Sequence, residues 1–357
     1  MQAIAEALHE AGIDYDDLRY VGSQRGQEQN LLGGGPIELT LLAGRGIRRS
    51  LAPRAWRDNI GALWGLSGAF LSALGDLRRW RPRAVVSVGG YAAAATSSAA
   101  VLLRRPLVLV DLDAAPGLTH RVLAKFAAVR CVALAPAGAT SPRVLVTGAP
   151  VRRDVAEIDR SPQARVRAKA SLSPPVDARR WVVVVMTGSL GATRVNRAVL
   201  ELARRWRDRT DITLVHVTGR RDFEMVVAQR PETAGLDYRI EAFAQMSTWW
   251  EVADLAICRA GATTIAELTV LSLPAVLVPL PGAPGDHQTR NSLALSTAGA
   301  AVVVPDAACT GDVLGRHVEE MLHPDVLAKM ARASSLLAQP DAARSIARAV
   351  LSVEADS

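Results

Sequence analysis

Along this chain, short apolar runs alternate with longer stretches in which apolar residues recur every three or four positions. In the first half the runs are LRYVG (18–22), IELTLLA (37–43), AVVSVGG (84–90), PLVLVDLD (106–113), CVALA (131–135) and RVLVTG (143–148). In the second half they are WVVVVM (181–186), ITLVHVTG (212–219), YRIEAF (238–243), LAIC (255–258), AVLVPL (275–280) and AAVVVP (300–305). Continuous apolar, β-branched runs of this length predict strands buried on both faces. The stretches between them predict helices at 1–11, 53–80, 91–104, 116–128, 192–208, 221–228, 246–252, 262–272 and 286–298. Strand and helix alternating twice over predict an α/β protein of two doubly wound parallel sheets in tandem.

Length agrees, because 357 residues exceed what one core usually organises. The segments read as a first domain at 1–155, a polar, proline-bearing linker at 156–180, a second domain at 181–340, and a helical tail at 341–357 that either finishes the second domain or crosses back onto the first. The first domain opens in the helix QAIAEALHEAG with no strand before it, where a doubly wound domain begins with strand and glycine turn. The expectation is therefore that the first strand is missing from the recorded start.

Charge adds one clue. The formal net charge is +7, carried almost wholly by arginine, and favours an anionic partner. Ile60 to Gly75 is uncharged but shorter than the ~20 residues a spanning helix needs. It is flanked by Arg45, Arg48, Arg49, Arg54, Trp56 and Arg57 on one side and Arg78, Arg79, Trp80, Arg81 and Arg83 on the other. That pattern suits either a core helix with a basic rim or a face resting on anionic lipid. Three scattered cysteines form no paired or metal-binding motif. The basic residues lack interleaved aromatic platforms, so nucleic acid is not an expected partner.

The candidate chemistry sits where strands end. TGSLGATRVN (187–196) turns from strand to helix with glycines and Ser189, a geometry that presents N–H groups to an anion. GGY (89–91) does the same in the first half, with Gly89 and Gly90 allowing close approach to the backbone and Tyr91 opening the helix. His216, in HVTG, reads as a core or sheet-edge residue rather than a base. RAGATTIAEL (259–268) sets a small-residue turn and Thr263 and Thr264 at a helix start, ready for a diphosphate. Glu267 follows one turn later, a carboxylate suited to a ribose diol. GAPGDHQTRN (282–291) places Gln288 and Asn291 three residues apart on one helix face, amides of the kind that read sugar hydroxyls. Taken singly, each also fits an ordinary turn or cap. Together they line the carboxyl ends of parallel strands, where open α/β sheets bind ligands.

VSVGGYAA, DLDAAPGLTHRVL, VTGAPVR, TGSLGATRVN, ADLAICRAGATTIAEL and LPAVLVPLPGAPGDHQTRN resemble, in sequence order, the blocks of the MurG-type glycosyltransferases of family 28. The resemblance spans essentially the whole chain. It implies the GT-B fold, two Rossmann-like domains facing a cleft. It also implies transfer of N-acetylglucosamine from UDP-GlcNAc to undecaprenyl-diphospho-muramoyl-pentapeptide (lipid I), giving lipid II for peptidoglycan and cell-wall biogenesis. UDP-GlcNAc would be a substrate, with no cofactor and no metal.

By the same resemblance Arg152 and Ser189 serve the donor diphosphate and Phe243 lies at the uracil. Ala262, Thr263, Thr264, Ile265 and Ala266 supply helix-start contacts, Glu267 holds the ribose, and Gln288 and Asn291 read the sugar. Gly89, Gly90, Tyr91 and Asp113 fall on the acceptor side. The family's glycine-rich loop and its histidine, a candidate general base, have no counterpart here. Its His-Glu-Gln-Asn segment is Val110, Asp111, Leu112 and Asp113, and the Asn of its Asn-Pro-Val-Arg motif is Ala149. The base is therefore unassigned, with Asp111 and Asp113 as the candidates. The implied setting is the cytoplasmic face of the membrane, held peripherally beside a lipid-linked acceptor and other cell-wall synthesis proteins. A GT-B transferase with another lipid acceptor, or a UDP-sugar-binding protein without catalysis, are the alternatives.

Overall fold

The computed structural model describes residues 1–24, 34–43, 53–134, 141–188 and 190–355. The chain divides into two compact units. Unit 1 is Met1–Pro150 with Asp341–Ser357, and unit 2 is Val151–Pro340.

Unit 1 holds the strands β1 (Arg19–Ser23), β2 (Glu38–Leu42), β3 (Val85–Ser87), β4 (Leu107–Asp111), β5 (Val129–Val132) and β6 (Val144–Val146). β1 and β2 form a parallel pair, and β3 to β6 form a parallel sheet in sequence order. One cavity of about 840 Å³ is lined by residues of both pieces, among them Val21 of β1 and Val86 of β3. The alternation expected of a strand buried on both faces is plain in β4. Leu107 and Leu109 pack against Ala95, Ala99 and Leu77, whereas Val108 and Val110 face the opposite layer. That opposite layer is built from the helix Gln2–Glu10, through Ile4, Ala7 and Leu8, and the terminal helix Ala342–Ala355, through Ile346, Ala347 and Val350. The tail thus crosses back and closes the core of unit 1. Ile346 is fully buried there, which contributes about 2 kcal/mol.

Unit 2 holds β7 (Trp181–Met186), β8 (Ile212–Val217), β9 (Asp237–Glu241), β10 (Leu255–Cys258), β11 (Ala275–Leu277) and β12 (Ala301–Val303). They form one parallel sheet in the order β12-β11-β10-β7-β8-β9. The order reverses at β7 and β10, the place where doubly wound sheets open a crevice at their carboxyl ends. Val183, Val185, Leu214, Leu255 and Ile257 pack under Leu202 and Trp206 of the helix that follows β7.

The 156–180 stretch, read from sequence as a linker, is folded into unit 2. The helix Pro162–Ser171 begins with Pro162 after Ser161, whose hydroxyl accepts from the Ala164 N–H at 3.3 Å. Its Arg165 and Lys169, one turn apart, both reach the buried carboxylate of Asp254. Lys169 also donates to the Arg180 carbonyl at 2.7 Å, and burial lowers its pKa. The segment reads as solvated because its buried face is charged, and the carboxylate that pairs with it lies 89 residues from Arg165 in sequence.

Candidate active site

In unit 2 the turns after β7 and β8 interlock. Gly188 and Gly191 both take positive φ, and the Gly191 N–H donates to the Gly188 carbonyl at 3.0 Å. Gly219, at φ +78°, lies so close that a Cβ there would come within 2.2 Å of the Gly191 nitrogen. Only glycine fits such an approach in this conformation. Asp222 clamps the pair, accepting from Thr193 Oγ1 at 2.9 Å, Asn196 Nδ2 at 3.0 Å and Arg221 Nε at 2.8 Å. The Arg221 bond, with those from Thr193 and Asn196, holds the Asp222 carboxyl below its ordinary range. The turn that resembles a phosphate cradle is thus rigid around its helix, Thr193–Arg205. Ser189 lies outside the described residues.

His216 is buried between Tyr238 Oη, 2.9 Å from Nδ1, and Asn196 Oδ1, 2.8 Å from Nε2. Burial pushes its pKa down to about 3, so it is a neutral core group, as its place in the strand suggests.

After β10, Gly261 caps the helix Ala262–Val270 with no side-chain hydrogen bond. The N–H groups of its first turn therefore have no acceptor from the cap or within the helix. Glu267 is 6% exposed and accepts from the indole N–H of Trp250 at 2.9 Å. Burial raises its pKa, while the Trp250 bond and the charge of Arg152 work against that rise. Arg152 itself is exposed at the start of unit 2, with its Nε 3.6 Å from Asp154. Arg259, which precedes the turn, does not face outward. It donates to the carbonyls of Val278 and Pro279, both at 3.1 Å, and to Asp306 at 2.7 Å, tying the ends of β10, β11 and β12 together.

The two amides on the helix His287–Thr297 each brace a loop. Gln288 Oε1 accepts from the Leu280 N–H at 2.9 Å, and Asn291, 1% exposed, donates to the Ala260 carbonyl at 3.1 Å. Asn291 thus locks the 259–264 turn to this helix. Phe243 stands 57% exposed just beyond β9, with the Arg220 guanidinium 5.2 Å from its ring centroid. Trp250 is the residue that sequence reading overlooked here. Its only signal was a tryptophan pair on a short helix before the strand.

Unit 1 contains a second cluster. Gly89 and Gly90 have φ of +92° and +94°, and the helix Tyr91–Leu102 starts directly after them. The Tyr91 side chain lies outside the described residues. Beside this turn, His120 bridges Ser87 Oγ, 2.9 Å from Nε2, and Asp111 Oδ1, 2.6 Å from Nδ1. Arg130 donates to the other Asp111 oxygen at 2.9 Å. Burial pushes the Asp111 pKa up, but the bonds from His120 and Arg130 outweigh it and leave the carboxyl below its ordinary value. A Cβ on Gly89 would sit 3.9 Å from the His120 ring. Sequence reading singled out Asp111 but neither Ser87 nor His120. The residues lie on adjacent parallel strands and the next helix, a juxtaposition that spacing does not reveal. Asp113, two residues on, is half-buried. Among the described residues no group of three His, Cys, Asp or Glu side chains is placed to hold a metal ion.

Two doubly wound parallel units, with glycine turns and helix starts gathered at strand ends, define an α/β protein of the class that binds ligands at the carboxyl ends of its strands. The comparisons narrow it. The glycosyltransferase family 28 N-terminal domain matches residues 1–130, and the family 28 C-terminal domain matches residues 182–346. The UDP-N-acetylglucosamine--N-acetylmuramyl-(pentapeptide) pyrophosphoryl-undecaprenol N-acetylglucosamine transferase of Alkalilimnicola ehrlichii is 36% identical, over 98% of this chain and 93% of its own. The protein of the same name from Desulforudis audaxviator is 34% identical over 96% of this chain and 92% of its own. The crystal structure of Acinetobacter baumannii MurG is similar with a TM-score of 0.75 at 26% identity, covering 98% of this chain and 94% of that one. The glycosyltransferase SnogD of Streptomyces nogalater shares the fold alone, with a TM-score of 0.63 at 17% identity over 98% of this chain and 94% of its own. This chain belongs to glycosyltransferase family 28.

Proposed function

We propose that this chain transfers GlcNAc from UDP-GlcNAc to lipid I, forming lipid II. The observation that carries this reading is the 34–36% identity, over nearly the full length of both chains, to transferases named for that reaction. The site geometry supports it. A buried carboxylate at Glu267 sits one turn inside a helix start, near Arg152, as a ribose–diphosphate pair requires. Arg152, Ser189, Phe243, the 262–266 helix start, Glu267, Gln288 and Asn291 form the donor site in this reading, and Gly89, Gly90, Tyr91 and Asp113 the acceptor side.

The reaction is a single displacement with inversion. The acceptor sugar hydroxyl attacks the anomeric carbon, the bond from that carbon to the UDP oxygen breaks, and the hydroxyl proton passes to a base. Arg152 and the helix-start N–H groups stabilise the charge that grows on the departing diphosphate. Asp113 and the His120–Asp111 pair are candidate acid–base groups in unit 1.

A peripheral membrane position follows from the acceptor. No described helix is long and apolar enough to cross a membrane. The helix Leu118–Leu123 exposes Leu118 and Val122, four apart on one face, and Phe126 continues that line beside exposed Arg121 and Lys125. Apolar anchors flanked by cations suit an anionic lipid surface. The basic rim at 45–57 lies in residues outside the described ones or with undescribed side chains. Within the helix Pro53–Trp80, Leu71 is 65% exposed. The test is transfer of labelled GlcNAc from UDP-GlcNAc to lipid I by the purified chain. Formation of lipid II is expected. Binding of UDP-GlcNAc with no transfer to any lipid acceptor refutes the enzymatic reading.

A further inference from the structure

Glu267 accepts through one oxygen from the most deeply buried aromatic near the site. Trp250 is 0% exposed, and its indole nitrogen lies 2.9 Å from Glu267 Oε2. The backbone that carries the indole is held as well. Arg160, from the segment that opens unit 2, donates to the Trp250 carbonyl and, at 2.8 Å, to the Ala253 carbonyl. These bonds fix the end of the helix Met246–Val252 that carries Trp250. We propose that Trp250 is a positioning residue of the nucleotide site. Its N–H holds Oε2 of Glu267 so that Oε1 is presented to a ribose hydroxyl. This rests on the donor-site reading given above.

The chemistry requires some such partner. A carboxylate this buried loses its water and favours the protonated form, which accepts poorly from a diol. The charged or titratable groups that bear on Glu267 are Arg152, Asp154 and Cys258. Arg152 favours ionisation and Asp154 opposes it, whereas the Cys258 thiol is pushed up by burial and stays neutral. Arg152 is exposed and screened by solvent. The indole N–H is the dry, fixed donor. It acts as the outer partners of metal-binding histidines do, by fixing one atom of a ligand so that another points correctly.

The test measures UDP affinity by calorimetry between about pH 5 and 8 for the parent chain, Trp250→Phe, Glu267→Gln and the double variant. Trp250→Phe is expected to weaken UDP by about tenfold at neutral pH, the worth of one hydrogen bond to a charged group. Its acid limb should move to higher pH, with kcat for GlcNAc transfer little changed. The double variant is expected to bind no worse than Glu267→Gln alone, because the indole has then lost its target. In the parent chain, which needs no substitution, the Trp250 indole ¹⁵N–¹H resonance should shift with the midpoint of the UDP acid limb.

Parent-like affinity and pH dependence in Trp250→Phe, or an indole midpoint unrelated to binding, would overturn the positioning role while leaving the donor site intact. If Trp250→Phe does not fold, the indole titration decides alone. If the parent chain does not bind UDP, or Glu267→Gln binds it as well as the parent, the donor-site reading itself fails and this inference with it.

Discussion

Replacing Asp111 by alanine removes the hub of the buried cluster in unit 1. Its Oδ1 is 2.6 Å from His120 Nδ1, and the two side chains are 4% and 3% exposed. Losing the carboxylate leaves that N–H without its acceptor in a dry site, a cost of about 2 kcal/mol. The Arg130 bond, at 2.9 Å, is lost as well, but the Arg130 side chain is 21% exposed and rehydrates, so its share is about 1 kcal/mol. The expected destabilisation is about 3 kcal/mol, a fall in Tm of roughly 6–12 °C for a unit of this size. Asp111→Asn keeps an acceptor oxygen for His120 and should lose only about a third of that.

Thermal unfolding followed by near-UV circular dichroism reads the effect. The pH dependence supplies a second check. The folded carboxyl lies below its ordinary value of 3.8, so its contribution is present above that value and disappears as pH falls through the folded pKa. The gap in stability between the parent and Asp111→Ala should therefore narrow as pH falls below about 4. A Tm change under about 2 °C, or equal losses in the alanine and asparagine variants, would show that the cluster contributes no charge-assisted bonding to the fold.

Gly219→Ala forces a Cβ to within 2.2 Å of the Gly191 nitrogen at φ +78°. It should cost about 3 kcal/mol in urea unfolding and sharply weaken UDP binding, whereas unchanged affinity would separate this turn from the donor site. Cys131, Cys258 and Cys309 are all buried, with Cys131 and Cys309 raised by burial to about 11. An aromatic disulfide reagent at neutral pH should label none of them until denaturant is added. Co-sedimentation with vesicles containing anionic phospholipid should be lost in a Leu118→Ser, Val122→Ser, Phe126→Ser variant that still binds UDP. Retained sedimentation would move the membrane face elsewhere.

The apolar runs were legible as strands because a parallel strand covered on both faces has no polar face to interrupt the run, and β4 shows both faces in use. The glycine turns were legible for a similar local reason, since a positive φ favours glycine, and a close backbone approach requires it, wherever the rest of the chain lies. The 156–180 segment was misread because burial there depends on Asp254, a partner supplied by the β10 region. Gln288 and Asn291 were legible as polar helix-start residues. Their bonds to Leu280 and Ala260 were not, because those depend on where the neighbouring strand ends.

Sequence by itself therefore determined the element order, the two doubly wound units and the places where glycine turns end strands, since periodicity and backbone preference act within a few residues. Tertiary structure alone decided which side chains share a dry environment. Ser87, Asp111 and His120 meet across two strands and a helix, and Trp250 meets Glu267 across a strand and a turn. Those pairings set protonation and orientation, and they depend on distances of a few ångströms that strand order creates and spacing along the chain does not encode.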